Sequence, residues 1–289
     1  MSSVLPLQRG FAWLVGAGPG HPDFLTLRGL RALRGAEVIL HDALLDEAFF
    51  GLFPGAAQAV FVGKRAGDHA LSQTEISALL VAKVREGKKV VRLKGGDPFL
   101  FGRGGEEALA LREAGLPFEV IPGVSALHGV AGAAGIPLTH RGLSREVRIL
   151  EGHGLLDEDR DWAELARFRG TLVLFMATGQ LARIAQTLLA HGADPAKPVA
   201  LVEEGCTPRQ RTRLATLADA AARRMPSCTD GPGLVVLGPT VALQPLLANP
   251  LLFPDLPRSL DPHAHPPSRL PQSPRPARPP RRRRERRAG

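Results

Sequence analysis

The feature that most constrains this chain is an alternation. Short apolar runs, each closed by glycine or a turn residue, are followed by segments whose apolar residues recur at helical spacing. FAWLV (11–15) reads as a strand and runs into GAGPG; DFLTLRGLRALRGA follows, with Leu27, Leu30 and Leu33 on one helical face. EVILHD (37–42) and AVFVGK (59–64) read as strands. Ser72 and Glu75 spell a capping box for TEISALLVAKVREG; its buried stripe is Ile76, Leu79, Leu80 and Val84, and Gly87 ends it. KVVRLKG reads as a short central strand, EEALALREAG as a helix and FEVIPG as a strand. Alternation of this kind implies an α/β fold whose sheet is covered by helices.

A second set begins near Arg145. EVRILEG, TLVLFMA, PVALVEEG and GLVVLGP read as strands. QLARIAQTLLAHG, with Leu181, Ile184, Leu188 and Leu189 on one face, and LATLADAAARRM read as helices. GIPLTHRGLS (135–144) is the natural hinge, so two α/β domains are expected, at 10–138 and 145–245. Residues 250–289 are rich in Pro and Arg, cannot bury a core and are expected to be a disordered tail. The tail also explains the charge. Residues 258–289 carry ten arginines against Asp261 and Glu285, so nearly all of the formal net charge of +9 resides there. The body is close to neutral and is not expected to bind nucleic acid, while contact of the tail with RNA or acidic partners stays open.

No apolar run approaches the roughly 20 residues of a membrane span. MSSVLPLQRG lacks the pattern of a signal peptide, and the only cysteines are Cys206 and Cys228, without a CxxC. A cytoplasmic location is expected, and the histidine spacing predicts no metal site.

Two glycine-rich stretches carry the chemistry. GAGPGHPDFLTL (16–27) follows the first strand, but its spacing is GxGxG with Pro19 inside. Asp42 lies near the position where a dinucleotide site wants an acid, so an NAD-binding oxidoreductase is one rival reading. LKGGDPFLFGRGG (93–105) is more specific. Its glycines leave backbone open to a ligand, Asp97 can accept hydrogen bonds, and Phe99 and Phe101 can line an apolar pocket; the alternative is a tight turn with two core phenylalanines.

Together with VGKRAGDHALSQTEI, PFEVIPGVSAL, AGIPLTHRGLS and VALVEEGCTPRQR, in this order over about residues 11–243, these stretches resemble the uroporphyrinogen-III C-methyltransferases of the tetrapyrrole methylase family. The resemblance implies two α/β domains flanking a cleft that binds S-adenosylmethionine (SAM), a homodimer, and methylation of uroporphyrinogen III at C2 and C7 to precorrin-2, upstream of sirohaem and cobalamin. Carried over position by position, it implies SAM contacts at Pro19, Gly95, Gly96, Asp97, Leu100, Ser125, Ala126, Met176 and Gly205. It implies an acid–base pair in Asp42 and Lys64. The eight carboxylates of the substrate call for a basic cleft, and Arg65, Arg103 and Arg141 are the candidates beside the matching motifs. A second rival is a sibling methylase acting on a later corrin precursor; a third is a non-catalytic scaffold working through its tail.

The chain departs from the family pattern at His41, Glu151, Phe175 and Ala177. Glu151 in the cleft would repel an anionic substrate unless Arg141 or Arg148 neutralised it.

Overall fold

The computed structural model describes residues 10–63, 71–157, 159–229 and 231–248. The first sheet holds β1 (Phe11–Gly16), β2 (Val38–His41), β3 (Gln58–Phe61), β4 (Lys89–Lys94) and β5 (Phe118–Ile121). They are parallel throughout, in the order β3-β2-β4-β1-β5. Helices α1 (Leu27–Arg34), α2 (Gln73–Arg85) and α3 (Gly104–Glu113) make three of the crossovers. α2 starts where its capping box predicts: the Ser72 and Glu75 backbone N–H groups donate to each other's side chains at 2.7 and 3.3 Å.

The strands read as continuous apolar runs because both faces of this sheet are covered. Leu14, Leu40 and Val90 pack against Ile76, Leu80 and Val84 of α2 and Leu111 of α3. Their neighbours Val15, Ile39 and Val91 point the other way, against Ala32 and Leu33 of α1 and against Phe49. Burying each of the larger side chains contributes about 1.5–3 kcal/mol.

α4 (Ala126–Ala133) follows β5. The second sheet holds β6 (Val147–Glu151), β7 (Thr171–Phe175), β8 (Pro198–Glu203), β9 (Arg211–Thr216) and β10 (Gly233–Leu237), in the order β6-β7-β10-β8-β9. Only β6–β7 is parallel; the other pairs are antiparallel. α5 (Trp162–Arg167), α6 (Leu181–Ala190) and α7 (Leu217–Ala221) complete the unit, and Leu181, Ile184 and Leu188 of α6 pack on Leu172, Leu174, Leu201 and Val235.

The stretch LATLADAAARRM corrects the sequence reading. Its first residues belong to β9, which pairs with β8 from Arg211 to Thr216, and the helix spans only Leu217–Ala221. Thr216 divides the two. Its hydroxyl accepts from the Asp219 backbone N–H at 3.1 Å while the Asp219 carboxylate accepts from the Thr216 N–H at 3.1 Å, a capping box that starts α7 where β9 ends. Both sheets fall in one compact unit. The expected hinge carries a turn closed by the His140–Ser144 bridge, and the expected disordered tail lies outside the described residues.

Candidate active site

Three turns leave the C-terminal edge of the first sheet side by side, after β1, β4 and β5. In open parallel sheets this edge is where ligands bind. The turns are bonded to one another: Gly96 N–H donates to Gly18 O at 2.7 Å, and Gly18 N–H returns a bond to Gly96 O at 3.2 Å. Gly18 and Gly96 have φ of 85° and 68°, which favours glycine. The β5 turn comes so close that a Cβ on Gly123 would stand 2.3 Å from Gly96 O.

Asp97 ties this arrangement together. One carboxylate oxygen accepts the Phe99 N–H at 2.8 Å and the other the Gly123 N–H at 3.0 Å. The second sheet closes the space from the other side. His21 N–H donates to Cys206 O at 2.9 Å, and the rings of Phe101 and Phe175 meet with centroids 5.0 Å apart.

The result is a cavity of about 530 Å³ between the sheets. Pro19, Gly95, Gly96, Asp97, Leu100, Ser125, Ala126, Met176 and Gly205 all lie on its wall, as do Asp42 and Arg103. Arg141 is exposed on the 140–144 turn and is not among the residues that line this cavity. Lys64 and Arg65 lie outside the described residues. The glycines differ in what they do. A Cβ on Gly205 would meet Val130 at 2.4 Å and one on Gly95 would meet Leu44 at 2.8 Å, so these two permit packing. A Cβ on Gly96 would find only Ala126 N, at 3.8 Å, so here the backbone lies bare toward open space. Phe101, Arg103 and Met176 on the wall, and Glu204 and Cys206 flanking Gly205, all have φ between 47° and 60°. Strain at so many non-glycine residues around one cavity is characteristic of a functional site.

A charged cluster that sequence reasoning missed borders the same cavity. Arg92 and Lys94 of β4 are buried, yet both reach the wall. Arg92 Nε, Lys94 Nζ and Gln73 Nε2 all donate to Glu107 Oε1, at 3.0, 3.1 and 3.1 Å. Arg92 also donates to the Leu40 and Leu93 carbonyls and stands 3.6 Å from Asp42. Burial, followed by the nearby Arg92, lowers the pKa of Lys94, while Glu107 and Asp42 oppose the shift. The overlooked signal was the spacing: two cations at i and i+2 share one face of a central strand.

Of the four departures, Phe175 alone borders the cavity. Glu151 accepts from His153 N–H at 3.0 Å within its own turn and is not on the cavity wall. Arg148 pairs with Glu164 at 2.6 Å and covers the Phe168 ring. Phe175 packs on Phe101, and Ala177 is fully buried.

The strand order counts against the oxidoreductase. A dinucleotide fold sets its first two strands side by side, whereas here β4 separates β1 from β2, so the GAGPG turn and Asp42 follow strands that are not neighbours. Fold and cavity instead define a two-sheet α/β protein with a ligand cleft at its strand ends. The chain belongs to the tetrapyrrole (corrin/porphyrin) methylases, whose family model matches residues 13–221. Siroheme synthase of Edwardsiella ictaluri is 47% identical over 247 residues, covering 85% of this chain and 53% of its own length. Siroheme synthase of Azotobacter vinelandii is 46% identical over 250 residues, covering 86% and 54%. This chain thus spans about half the length of the curated relatives it matches. Among solved structures, uroporphyrin III C-methyl transferase from Thermus thermophilus is 41% identical, with 81% of this chain and 100% of that chain covered and a TM-score of 0.69; the same enzyme is also known complexed with S-adenyl homocysteine. A cobalt precorrin-4 methyltransferase is 25% identical, covering 83% and 99%, with a TM-score of 0.71.

Proposed function

We propose that the chain is a SAM-dependent C-methyltransferase that converts uroporphyrinogen III to precorrin-2 by methylation at C2 and C7. The observation that carries this reading is the bare-backbone cavity built by the three bonded turns, in a chain similar over the full length of a uroporphyrin III C-methyl transferase. The residues suit SAM: Gly96 exposes backbone to open space, and Leu100, Ala126 and Met176 supply apolar wall. Bound there, SAM supplies an electrophilic methyl group on a sulfonium.

The chain's own residues orient and handle charge. Asp97 holds the turns in register and Ser125 and Ala126 begin α4 at the wall. Asp42 and Lys64 form the acid–base pair of this reading, and much of the acceleration comes from aligning methyl and carbon. Arg103 offers a cation at the wall for substrate carboxylates, and Arg65 and Arg141 are the further substrate-binding residues of this reading. Arg103 is itself held by Glu106 at 2.7 Å, so a substrate carboxylate has to compete with that pair.

The 41% likeness to the uroporphyrin enzyme, against 25% for the cobalt precorrin-4 enzyme, favours the earlier substrate over a later corrin precursor. The reading covers only the methylation; later steps toward sirohaem or cobalamin fall to other modules or proteins. It extends to a cytoplasmic homodimer, and no helix of the described residues is long and apolar enough to cross a membrane. Anaerobic incubation of the protein with SAM and uroporphyrinogen III, then mass spectrometry, tests it. A product two methyl groups heavier, substituted at C2 and C7, is expected. An unmethylated substrate with SAM still bound would refute the assignment of uroporphyrinogen III.

A further inference from the structure

Of the titratable groups on the cavity wall among the described residues, Asp97 has both oxygens bonded to backbone N–H groups, and Arg103 is paired with Glu106. Arg92 is spent on Glu107, two carbonyls and Asp42, and guanidinium does not give up its proton. Lys94 differs. Among the described residues its one hydrogen bond goes to Glu107, so two of its three N–H positions are uncommitted. We propose that Lys94 is a second proton acceptor of the methyl-transfer reaction, with Glu107 as the residue that positions it.

The inference rests on the proposed function and deepens it. Each methylation forms a C–C bond from a ring electron pair while the sulfonium S–C bond breaks and leaves its pair on sulfur. The ring is then a cation and must shed one proton. That proton goes to the lone pair of the Lys94 amine, the C–H or N–H pair stays in the ring, and the ammonium formed later releases the proton to solvent. Two methyls mean two protons, and Asp42 is itself engaged by Leu44 N–H at 3.1 Å and by Arg92.

Charge balance argues for this role over that of a carboxylate anchor. Arg92 and Lys94 face Glu107 and Asp42, two cations against two anions. An added substrate carboxylate would leave the group net negative, whereas a neutral amine beside a ring cation keeps it in balance. The groups facing Lys94 are Asp42 at the end of β2, Arg92 on β4, and Glu107 on α3 with Glu106 further off; α2 contributes the uncharged Gln73. Burial lowers the Lys94 pKa, in the direction a catalytic amine needs.

The test combines Lys94→Arg, Lys94→Gln and Glu107→Gln. S-adenosylhomocysteine affinity, measured by calorimetry, should stay within about twofold in each, reporting an intact cofactor site. Turnover at saturating uroporphyrinogen III should fall about 100-fold in both Lys94 variants, because arginine keeps the charge but cannot accept a proton. The amine is the active form, so kcat rises with pH through the Lys94 titration. Glu107→Gln removes a carboxylate that raises the Lys94 pKa, and should move this limb to lower pH. Wild-type kcat in Lys94→Arg, or a change confined to KM in Lys94→Gln, would mean an anchor and overturn the proposal. NMR of isotope-labelled lysines in the wild-type protein decides the matter without a variant or turnover: a Lys94 signal titrating with the exposed lysines also overturns it. A wild type that binds S-adenosylhomocysteine but methylates nothing defeats the proposed function instead.

Discussion

Asp97 separates two ways of building the cofactor site. The resemblance makes it a ligand contact, while the structure makes it a tie between the β4 and β5 turns. Asp97→Asn preserves the shape but turns one oxygen into an N–H₂ donor facing a backbone N–H, of either Phe99 or Gly123. It loses one charge-assisted hydrogen bond and creates a donor–donor contact, which together cost about 2 kcal/mol in a half-buried site. For a chain of this size that corresponds to a fall in Tm of about 4–8 °C. Scanning calorimetry of the ligand-free protein reads the stability, and titration calorimetry with S-adenosylhomocysteine reads the site. Both should worsen together, since loosening the turns disperses the backbone groups around Gly96. A variant with wild-type Tm but lost binding would refute the tie and restore Asp97 as a direct contact.

Gly123→Ala should lower stability by about 1–3 kcal/mol, read from the urea midpoint, because its Cβ would fall 2.3 Å from Gly96 O and 2.7 Å from Gly16 Cα, all backbone that has little room to yield. Asp219, held by Thr216 and Arg224, has its pKa lowered to about 2, so its contribution to stability is present above its unfolded value and is lost as pH falls from about 4 toward 2. The Tm gap between wild type and Asp219→Asn should therefore shrink over that interval. Burial pushes the Cys206 thiol up to about 12 while Cys228 is exposed, so alkylation of the native protein at mildly alkaline pH should add one group, at Cys228, by mass spectrometry.

Local sequence carried much of the architecture. The Ser72–Glu75 box started α2, the helical stripes of α2 and α6 packed where their spacing pointed, and the apolar runs of β1, β2 and β4 became covered parallel strands. These features depend on contacts a few residues apart or on alternation along one segment. β9 was hidden because its strand state rests on pairing with β8, and a stretch of alanines and leucines nearby has strong helix preference.

For the site, residue type alone marks which backbone is bare: glycines in GAGPG, KGGDP and IPGV can be read as open turns wherever they lie. The effect of those turns on each other came from the packing of the sheet. The order β3-β2-β4-β1-β5 inserts β4 between β2 and β1, which bonds Gly96 to Gly18, moves Asp42 beside Arg92 and removes the dinucleotide alternative. Gly95 and Gly205 look alike in sequence to Gly96, yet they serve Leu44 and Val130, because the space beyond a missing Cβ is defined by another element. The same reason hid Lys94. A charge in an apolar strand announces a buried ion, but its partner, Glu107, comes from a helix that the strand order brings alongside, and the balance of that cluster exists only once the chain has folded.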